Sequence, residues 1–263
     1  MTKLPILIVI PHGGYKVPEE FAEHAEPDEA DLLLSADTGA NELFTTDSYA
    51  AVLNTHISRL FIDLDRSPLE LPPRAHDGVM KTNGFFGGEL FPDGQLPDNI
   101  ALANVLRRYY FPFHDAMKKI ISSGEIRLVL ECHTVAAVGG PRSPDRDRPR
   151  PVVSIQHLIR KGERTVEGAS ASVAELFLSQ FRKCFSSEDS AADKPFVVTD
   201  RTVNGHIARE HSGTVPWLRI NLSRGLFLND NHFNFDYGRI DQIRIGDLRK
   251  KIEEAISRGI AKL

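Results

Sequence analysis

The stretch LPILIVIPHGG at residues 4–14 contains the feature that decides the fold. Its first seven residues are apolar throughout, which predicts a strand buried on both faces, of the kind found in parallel sheets covered by helices. The two glycines that follow predict a tight loop, so His12 stands directly after the carboxyl end of the strand. We therefore expect an α/β fold built around this buried strand.

Further short apolar runs alternate with segments of helical period along the chain, a pattern typical of a mainly parallel sheet with crossover helices. The predicted strands after the first are residues 56–63, 126–132, 152–156, 196–199 and 214–222. The predicted helices are residues 98–123, which Pro112 should bend or split, and residues 172–185 and 242–263. No repeat and no shift in composition marks a boundary, so residues 1–263 are interpreted as a single domain.

The composition excludes several classes of protein. A formal charge of −4 provides no basic field for nucleic acid. The cysteines are Cys132 and Cys184, without a Cys-x-x-Cys pair, which excludes a thiolate-rich zinc site and argues against a disulfide framework. The apolar run at residues 4–10 is too short for a signal peptide or a membrane span. We expect a cytoplasmic protein without nucleic-acid or membrane partners.

Polar and titratable side chains follow the carboxyl ends of several predicted strands. His12 follows the first, residues 63–66 the second and residues 131–134 the third, while Asn221 and Arg224 lie near the end of the last. Because ligands bind outside the carboxyl ends of strands in open parallel sheets, these side chains could share one site. Two histidines, a carboxylate and a water match the donor set of a catalytic zinc ion. The alternative interpretation is that residues 131 and 133 only hydrogen-bond to loops.

Six segments, in the same order, resemble motifs of N-formylglutamate amidohydrolases. The segment PHGGYKVP at residues 11–18 resembles the pattern P-H-x-G-x-x-[IV]-P, and SRLFIDLDR at residues 58–66 resembles S-R-[YL]-x-[IV]-D-L-N-R. The other segments are DT with ELF at residues 37–44, YFPFH at residues 110–114, ECHT at residues 131–134 and GHIAR at residues 205–209. The similarity runs from Leu4 to about Leu228, so it covers most of the chain.

The resemblance implies a three-layer α/β/α fold with a mainly parallel, mixed central sheet, of the phosphorylase/hydrolase-like type related to zinc carboxypeptidases. It also implies cleavage of an amide on an acidic amino acid, releasing formate and glutamate. One zinc ion would be bound by His12, His133 and a carboxylate, which is Asp37 or, in the competing assignment, Glu131. Glu131 could instead orient His133 through the second nitrogen of its ring.

The resemblance further implies basic side chains around the substrate. Arg59, Arg66 and Arg209 occupy motif positions from which a guanidinium could bind a substrate carboxylate through two hydrogen bonds. The alternative for Arg59 and Arg66 is a surface ion pair with the aspartates between them. His114 lies in another of the motifs and could line the pocket.

The last predicted strand departs from the family at a position where glutamate is usual. This chain has Asn221 there, and an amide cannot accept a proton at neutral pH, so Asn221 cannot act as a general base. Glu131 or Glu210 could be the base, the base could lie elsewhere, or the protein could be a divergent relative with weak or different activity. The candidate catalytic residues are thus Glu131, Arg209 and Asn221.

The leading hypothesis is a zinc-dependent amidohydrolase acting on an N-acylated acidic amino acid such as N-formylglutamate. The alternative, which Asn221 favours, is a catalytically weak or inactive relative that binds a small carboxylate in the same pocket. A serine or cysteine hydrolase is disfavoured, because no Gly-x-Ser-x-Gly motif is present and Cys132 lies in a predicted buried strand. The expected partner is a small acidic molecule, and a homo-oligomer is left open.

Overall fold

The structure is a computed structural model that describes residues 3–140, 143–185, 189–195, 198, 205–234 and 239–263. Its strands are β1 (Leu4–Ile10), β2 (Tyr49–Asn54), β3 (Leu128–Val135), β4 (Val153–Gln156), β5 (Leu158–Lys161), β6 (Arg164–Glu167), β7 (Ser190–Ala192), β8 (Trp217–Ser223), β9 (Phe233–Asn234) and β10 (Arg239–Ile240). Six of them form a sheet in the order β2-β1-β3-β8-β4-β7. Every neighbouring pair in this sheet is parallel except β8 and β4. The mainly parallel, mixed sheet is as predicted.

Helices cover both faces of the sheet. They are α1 (Glu29–Ser35), α2 (Ala40–Phe44), α3 (Asn99–Val105), α4 (Phe111–Ser122), α5 (Ala171–Cys184), α6 (His206–His211) and α7 (Gln242–Ile260). Because side chains alternate along a strand, Ile6, Ile8 and Ile10 of β1 face one core, shared with α2, α5 and α7. Leu7 and Val9 face a second core, shared with α3, α4 and α6. The two cores explain the continuous apolar run of β1 and confirm the α/β fold with helices on both faces.

The prediction of a strand at residues 56–63 is wrong. Residues 56–63 form turns and isolated bridges, and the strand that pairs with β1 is β2. Since β2 lies at the edge of the sheet and only its first residue is buried, its sequence is less apolar than that of an interior strand. Leu60, Phe61 and Ile62 are buried in the second core as loop residues. Their apolar character therefore reflects burial and not strand formation.

The predicted helix at residues 98–123 is present but interrupted. A π-helical turn at Leu106–Tyr110 separates α3 from α4, and Pro112 lies in the first turn of α4. Proline has no N–H to donate to the preceding turn, which gives a physical reason for an interruption at this place. The start of the helix is fixed by Asp98, whose side chain accepts a hydrogen bond from the N–H of Ala101.

The other predicted elements differ from the observed ones by a few residues. The third strand continues past Cys132 to Val135, so His133 lies within β3 and not after it. The last strand, β8, begins three residues later than predicted, and α5 and α7 are close to their predicted bounds. The predicted strand at residues 196–199 lies outside the described residues except for Val198, which bridges to Ile159. Within the described ranges, no helix combines the length and apolar character needed to cross a membrane.

Candidate active site at the carboxyl edge of the sheet

His12 and His133 come together because β1 and β3 are neighbours in the sheet. The register pairs Val9 with Glu131, so the residues that follow these two positions lie side by side. The centroids of the two imidazole rings are 5.2 Å apart, and both side chains are buried. The loop after His12 is held tightly: a Cβ on Gly14 would lie 2.2 Å from the backbone carbonyl carbon of His56, so this position requires glycine.

Asp37 lies between the two imidazoles. Its Oδ2 atom is 2.6 Å from Nδ1 of His133 and 3.4 Å from Nδ1 of His12. The N–H of Asp37 donates to the carbonyl of His12, which fixes the segment after α1 against the end of β1. One ligand atom from each of His12, Asp37 and His133 lies within 4.8 Å of the others, so the three predicted metal ligands form a group that could hold an ion.

The charges of this group fit a dication. Burial opposes the charge of Asp37, but the imidazoles of His133 and His12 hold the pKa of its carboxyl well below the ordinary value. Burial likewise disfavours protonated His133, yet Asp37 raises the pKa of this imidazole to about 9. The buried Asp37 carboxylate thus favours positive charge at the centre of the group. Two imidazole nitrogens and one carboxylate oxygen are suitable donors for a zinc ion, which would supply that charge.

The Nε2 atom of each imidazole faces a second carboxylate. For His12 this is Asp63, whose Oδ1 lies 2.9 Å from Nε2. For His133 it is Glu131, whose Oε1 lies at the same distance of 2.9 Å. Carboxylates in this position would hold each ring so that its Nδ1 atom is available to a metal ion. The geometry therefore places Asp37, and not Glu131, between the two Nδ1 atoms.

Cations neutralise both of these outer carboxylates, Asp63 and Glu131. Oδ2 of Asp63 accepts from Nη2 of Arg59 at 2.8 Å and from Nζ of Lys81 at 2.9 Å. These contacts, with that to His12, hold the pKa of Asp63 well below its ordinary value in spite of burial. Lys81 belongs to the long loop at residues 67–97, and the sequence contains no periodic signal that would bring it to this site.

Arg219 of β8 provides the corresponding charge for Glu131. Its Nη2 donates to Glu131 and, at 2.7 Å, to Oδ2 of Asp65, and all three side chains are buried. Oε2 of Glu131 also accepts from the indole N–H of Trp217 at 3.0 Å. Burial raises the pKa of Glu131, but Arg219 and His133 outweigh it and lower the pKa to about 2. Arg219 is not among the site residues predicted from the sequence, although a charged residue in a strand buried on both faces is itself a signal.

A second group of possible metal donors, formed by Asp65, Glu131 and His133, lies beside the first. The guanidinium of Arg219 contacts both Asp65 and Glu131, so a cation already balances these carboxylates. The other oxygen of Asp65 accepts from the backbone N–H of Ile207 at 2.7 Å. Because its donors are already occupied in this way, the second group is less suited to an ion than the first.

Asn221 lies next to His133. The register of β3 and β8 pairs these two residues, and the register of β8 and β4 pairs Asn221 with Ser154. Side chains of paired residues project from the same face of the sheet, and that of Asn221 is partly exposed there. Asn221 is thus the neighbour of His133 across β3 and β8.

The predicted arginines have different surroundings. Arg59 binds Asp63, and Arg66 forms ion pairs with Asp77 at 3.1 Å and with Glu70 at 3.9 Å. Arg209 lies on α6, and its Nη1 atom is buried without a hydrogen-bond partner in the part of the chain that the structure describes. A buried guanidinium nitrogen without a partner is costly, which points to a ligand group that it would bind.

His114 forms a buried pair with His211. Its Nδ1 lies 2.9 Å from Nε2 of His211, and its Nε2 lies 3.0 Å from the carbonyl oxygen of Leu64. Burial lowers the pKa of His114 to about 3 and that of His211 to about 4. Both nitrogens of His114 are therefore engaged by the protein, and the pair joins α4 to α6. Glu210, the other base considered from the sequence, is exposed on α6.

Comparison with known proteins adds a family and two structural neighbours. Residues 4–228 match the family model FGase, N-formylglutamate amidohydrolase. An N-formylglutamate amidohydrolase from Ralstonia eutropha JMP134 is similar with a TM-score of 0.71 and 16% sequence identity, covering 97% of this chain and 94% of that one. A gene product of Agrobacterium tumefaciens has a TM-score of 0.65 and 18% identity, covering 97% of this chain and 91% of its own. At such identities the two structures establish a shared fold. No curated protein matches the sequence.

Proposed function

This chain belongs to the N-formylglutamate amidohydrolase family, and we propose that it is a zinc-dependent hydrolase that cleaves the amide of an N-acylated acidic amino acid. N-Formylglutamate, which would give formate and glutamate, is the reference substrate. The observation that carries the proposal is the convergence of Nδ1 of His12, Nδ1 of His133 and Oδ2 of Asp37 on one another. Zinc bound by this set would supply a Lewis acid for the acyl carbonyl and would lower the pKa of water.

The side chains around the three donors would have separate tasks. Asp63 and Glu131 keep the imidazoles in the orientation that leaves each Nδ1 atom to the metal. Glu131 is assigned this orienting task and not that of a base, because His133, Trp217 and Arg219 engage both of its oxygens. Arg209 would bind a substrate carboxylate through its unpartnered Nη1 atom. Asn221 would donate or accept a hydrogen bond at the reacting group without taking up its proton.

The zinc site is tested by the substitution His133→Ala. Removal of one of two imidazole donors should abolish stoichiometric zinc binding, measured by elemental analysis of the purified protein, and with it the release of glutamate from N-formylglutamate. The far-ultraviolet circular dichroism should remain that of the wild type. His24→Ala, at an exposed histidine, is the matched control and should change neither property. A full equivalent of zinc in the His133→Ala protein would show that the site is elsewhere.

A protein that binds a carboxylate without hydrolysis is the second candidate. Asn221 favours it, because this amide occupies the position next to His133 where a proton acceptor is expected. Hydrolysis assays with N-formyl-, N-acetyl- and N-succinyl-glutamate and -aspartate distinguish the two candidates. Turnover of any of them supports the hydrolase, whereas tight glutamate binding with no turnover in the zinc-loaded protein supports the binding protein.

A further inference from the structure

The residues that follow His12 and those that follow Asp37 form two segments in contact. The His12 segment is residues 12–15, directly after β1, and the Asp37 segment is residues 37–41, which leads from α1 into α2. Hydrogen bonds connect the two segments: from the N–H of Asp37 to the carbonyl oxygen of His12 at 2.9 Å, from Nδ2 of Asn41 to that of Gly13 at 2.8 Å, and from the N–H of Gly39 to the hydroxyl oxygen of Tyr15 at 3.3 Å. Two of the candidate metal donors therefore belong to segments that hold each other in place.

Tertiary contacts determine the position of Asp37. This residue lies in the turn between two short helices, so neither a helix nor a strand fixes its backbone. The His12 segment is also fixed from its other side, because the adjoining Lys16 pairs with residues 56–58 through backbone hydrogen bonds of 2.8 and 2.9 Å. The hydrogen bonds between the two segments therefore place Asp37 relative to a fixed His12.

The hydroxyl of Tyr15 is the partner of a buried backbone group. Gly39 is buried and has a φ of 80°, which suits glycine. Its N–H precedes the first turn of α2, so it has no acceptor within that helix, and it donates to the partly buried Tyr15. A buried N–H without an acceptor costs free energy. Loss of the hydroxyl would thus leave this N–H unpaired two residues after Asp37.

Asn41 makes the second side-chain contact between the segments. Its amide lies against Gly13: a Cβ on Gly13 would be 2.6 Å from Oδ1 and 2.7 Å from Nδ2 of Asn41. Nδ2 donates to the carbonyl oxygen of Gly13, whereas Oδ1 is buried without a hydrogen-bond partner in the ranges that the structure describes. Because an unpaired amide oxygen lowers stability, the benefit of an amide here lies in its contact with the residue after His12.

The resulting distance between the two donors suits a metal ion. Oδ2 of Asp37 is 3.4 Å from Nδ1 of His12. Two ligands that lie about 2.0 Å from a tetrahedral zinc ion are about 3.3 Å apart. The contacts between the segments therefore hold these two atoms near the separation that zinc needs.

We propose that Tyr15 is a positioning residue of the metal site: together with Asn41, it holds Asp37 at the distance from His12 that suits zinc. This inference rests on the proposed function and adds two residues that act through the backbone of the donor segments. Donors that are already in place bind a metal ion more tightly than donors that must first be ordered.

Tyr15→Phe tests the inference, because it removes one oxygen atom and keeps the ring. The dissociation constant for zinc, measured by competition with a chromophoric chelator, should rise about tenfold or more, a common effect of losing a group that positions a metal ligand. The visible absorption bands of the Co²⁺-substituted protein, which report the ligand geometry, should change as well. Tyr109→Phe is the matched control, because it removes a hydroxyl that bonds to Glu20 at 3.2 Å, and it should change neither property.

Other roles of Tyr15 would give other results. A role in stability alone would lower the urea midpoint of the metal-free protein and leave the zinc dissociation constant and the cobalt spectrum unchanged. A contact with the substrate would raise KM for N-formylglutamate, again with wild-type zinc affinity. Either result would overturn the inference. If Tyr15→Phe does not fold, Asn41→Leu decides, since it keeps the size of the side chain and removes the Nδ2 donor, and wild-type zinc affinity in that variant would also overturn the inference.

The inference and the proposed function fail in different ways. A wild-type protein that binds no zinc would contradict both. Weakened zinc binding in Tyr15→Phe, in a protein that hydrolyses none of the N-acyl amino acids, would support the inference and contradict the hydrolase. Turnover of N-formylglutamate by the wild type, with undiminished zinc affinity in Tyr15→Phe, would support the hydrolase and overturn the inference.

Discussion

At the scale of single residues, two imidazoles form the centre of the site. They lie between one inner carboxylate and two outer carboxylates. Asp37 contacts both Nδ1 atoms, while Asp63 and Glu131 contact the two Nε2 atoms. Each outer carboxylate is in turn balanced by cations: Asp63 by the partly exposed Arg59 and by Lys81, and Glu131 by the buried Arg219. Such an arrangement fixes ring orientation at the cost of burying many charges.

The position of Asn221 predicts a gain of activity on substitution. Asn221→Glu places a carboxylate beside His133, and because a general base contributes about 10²–10⁴ in rate, kcat for N-formylglutamate should rise about tenfold or more. Steady-state kinetics at equal zinc content measure the effect. Asn221→Gln, which has the same length without the proton acceptor, should show no rise. Equal rates for the two variants would show that another group already accepts the proton.

Arg219 is predicted to be necessary for stability. Arg219→Met would leave Asp65 and Glu131 buried next to each other without their cation, which should lower the free energy of unfolding by about 3–5 kcal/mol. Urea denaturation at neutral pH and fixed zinc concentration measures the change. The control is Arg182→Met on α5, whose partner Glu175 is exposed, and which should cost about 0–1 kcal/mol. A similarly small loss at Arg219 would mean that the carboxylates find other partners.

At the scale of elements, two helices are joined by imidazoles. His114 of α4 and His211 of α6 are 2.9 Å apart, and α6 is further fixed by the hydrogen bond from the N–H of Ile207 to Asp65. This second link ties α6, which carries Arg209, to the network that holds Glu131 and His133. The arrangement predicts that the stability of this side of the sheet depends on pH.

The folded protein resists protonation of the histidine pair. Their pKa values, about 3 for His114 and about 4 for His211, lie below the ordinary value of 6.5, so the unfolded chain binds more protons as pH falls below that value. The stability should therefore decrease between pH 6.5 and pH 4, by at most about 1.4 kcal/mol per pH unit for each histidine.

His211→Gln tests this origin of the pH dependence. It removes one titrating group and keeps an N–H that can donate to Nδ1 of His114, so urea denaturation at several pH values should give a shallower decline. His24→Gln should retain the wild-type slope, because His24 is exposed. An unchanged slope in the His211→Gln protein would attribute the acid sensitivity to other groups.

At the scale of the whole molecule, the sequence predicted the parts that are buried on both faces. The strands β1, β3 and β8 were predicted because interior strands of a parallel sheet are mostly apolar. His12 and His133 were predicted to share a site because each lies at or near the carboxyl end of such a strand. The edge strand β2 was missed because an edge strand carries less apolar sequence than the buried loop after it. Asp37 was predicted as a metal ligand from the family resemblance and not from any local sequence pattern.

The cations of the site could not be predicted in the same way. Placing Arg219 beside Glu131 requires the register of β3 and β8, which apolar periodicity does not specify. Lys81 reaches Asp63 from a long loop whose path depends on packing over distant elements. The contact of Arg224 with the carbonyl oxygens of Leu34 and Ala36 is equally non-local. The sequence therefore predicts the candidate metal donors better than it predicts the cations that neutralise the neighbouring carboxylates.

The distribution of the three donors along the chain has a consequence for biosynthesis. His133 follows Asp37 by 96 residues and lies just past the midpoint of the chain, so its strand β3 is complete only after the first half of the chain has been made. A nascent chain that displays His12 and Asp37 alone holds two donors out of three and would release an ion readily. If zinc binds as proposed, its stable capture would mark the moment at which β3 joins the sheet, and metal retention would then be a measure of correct assembly.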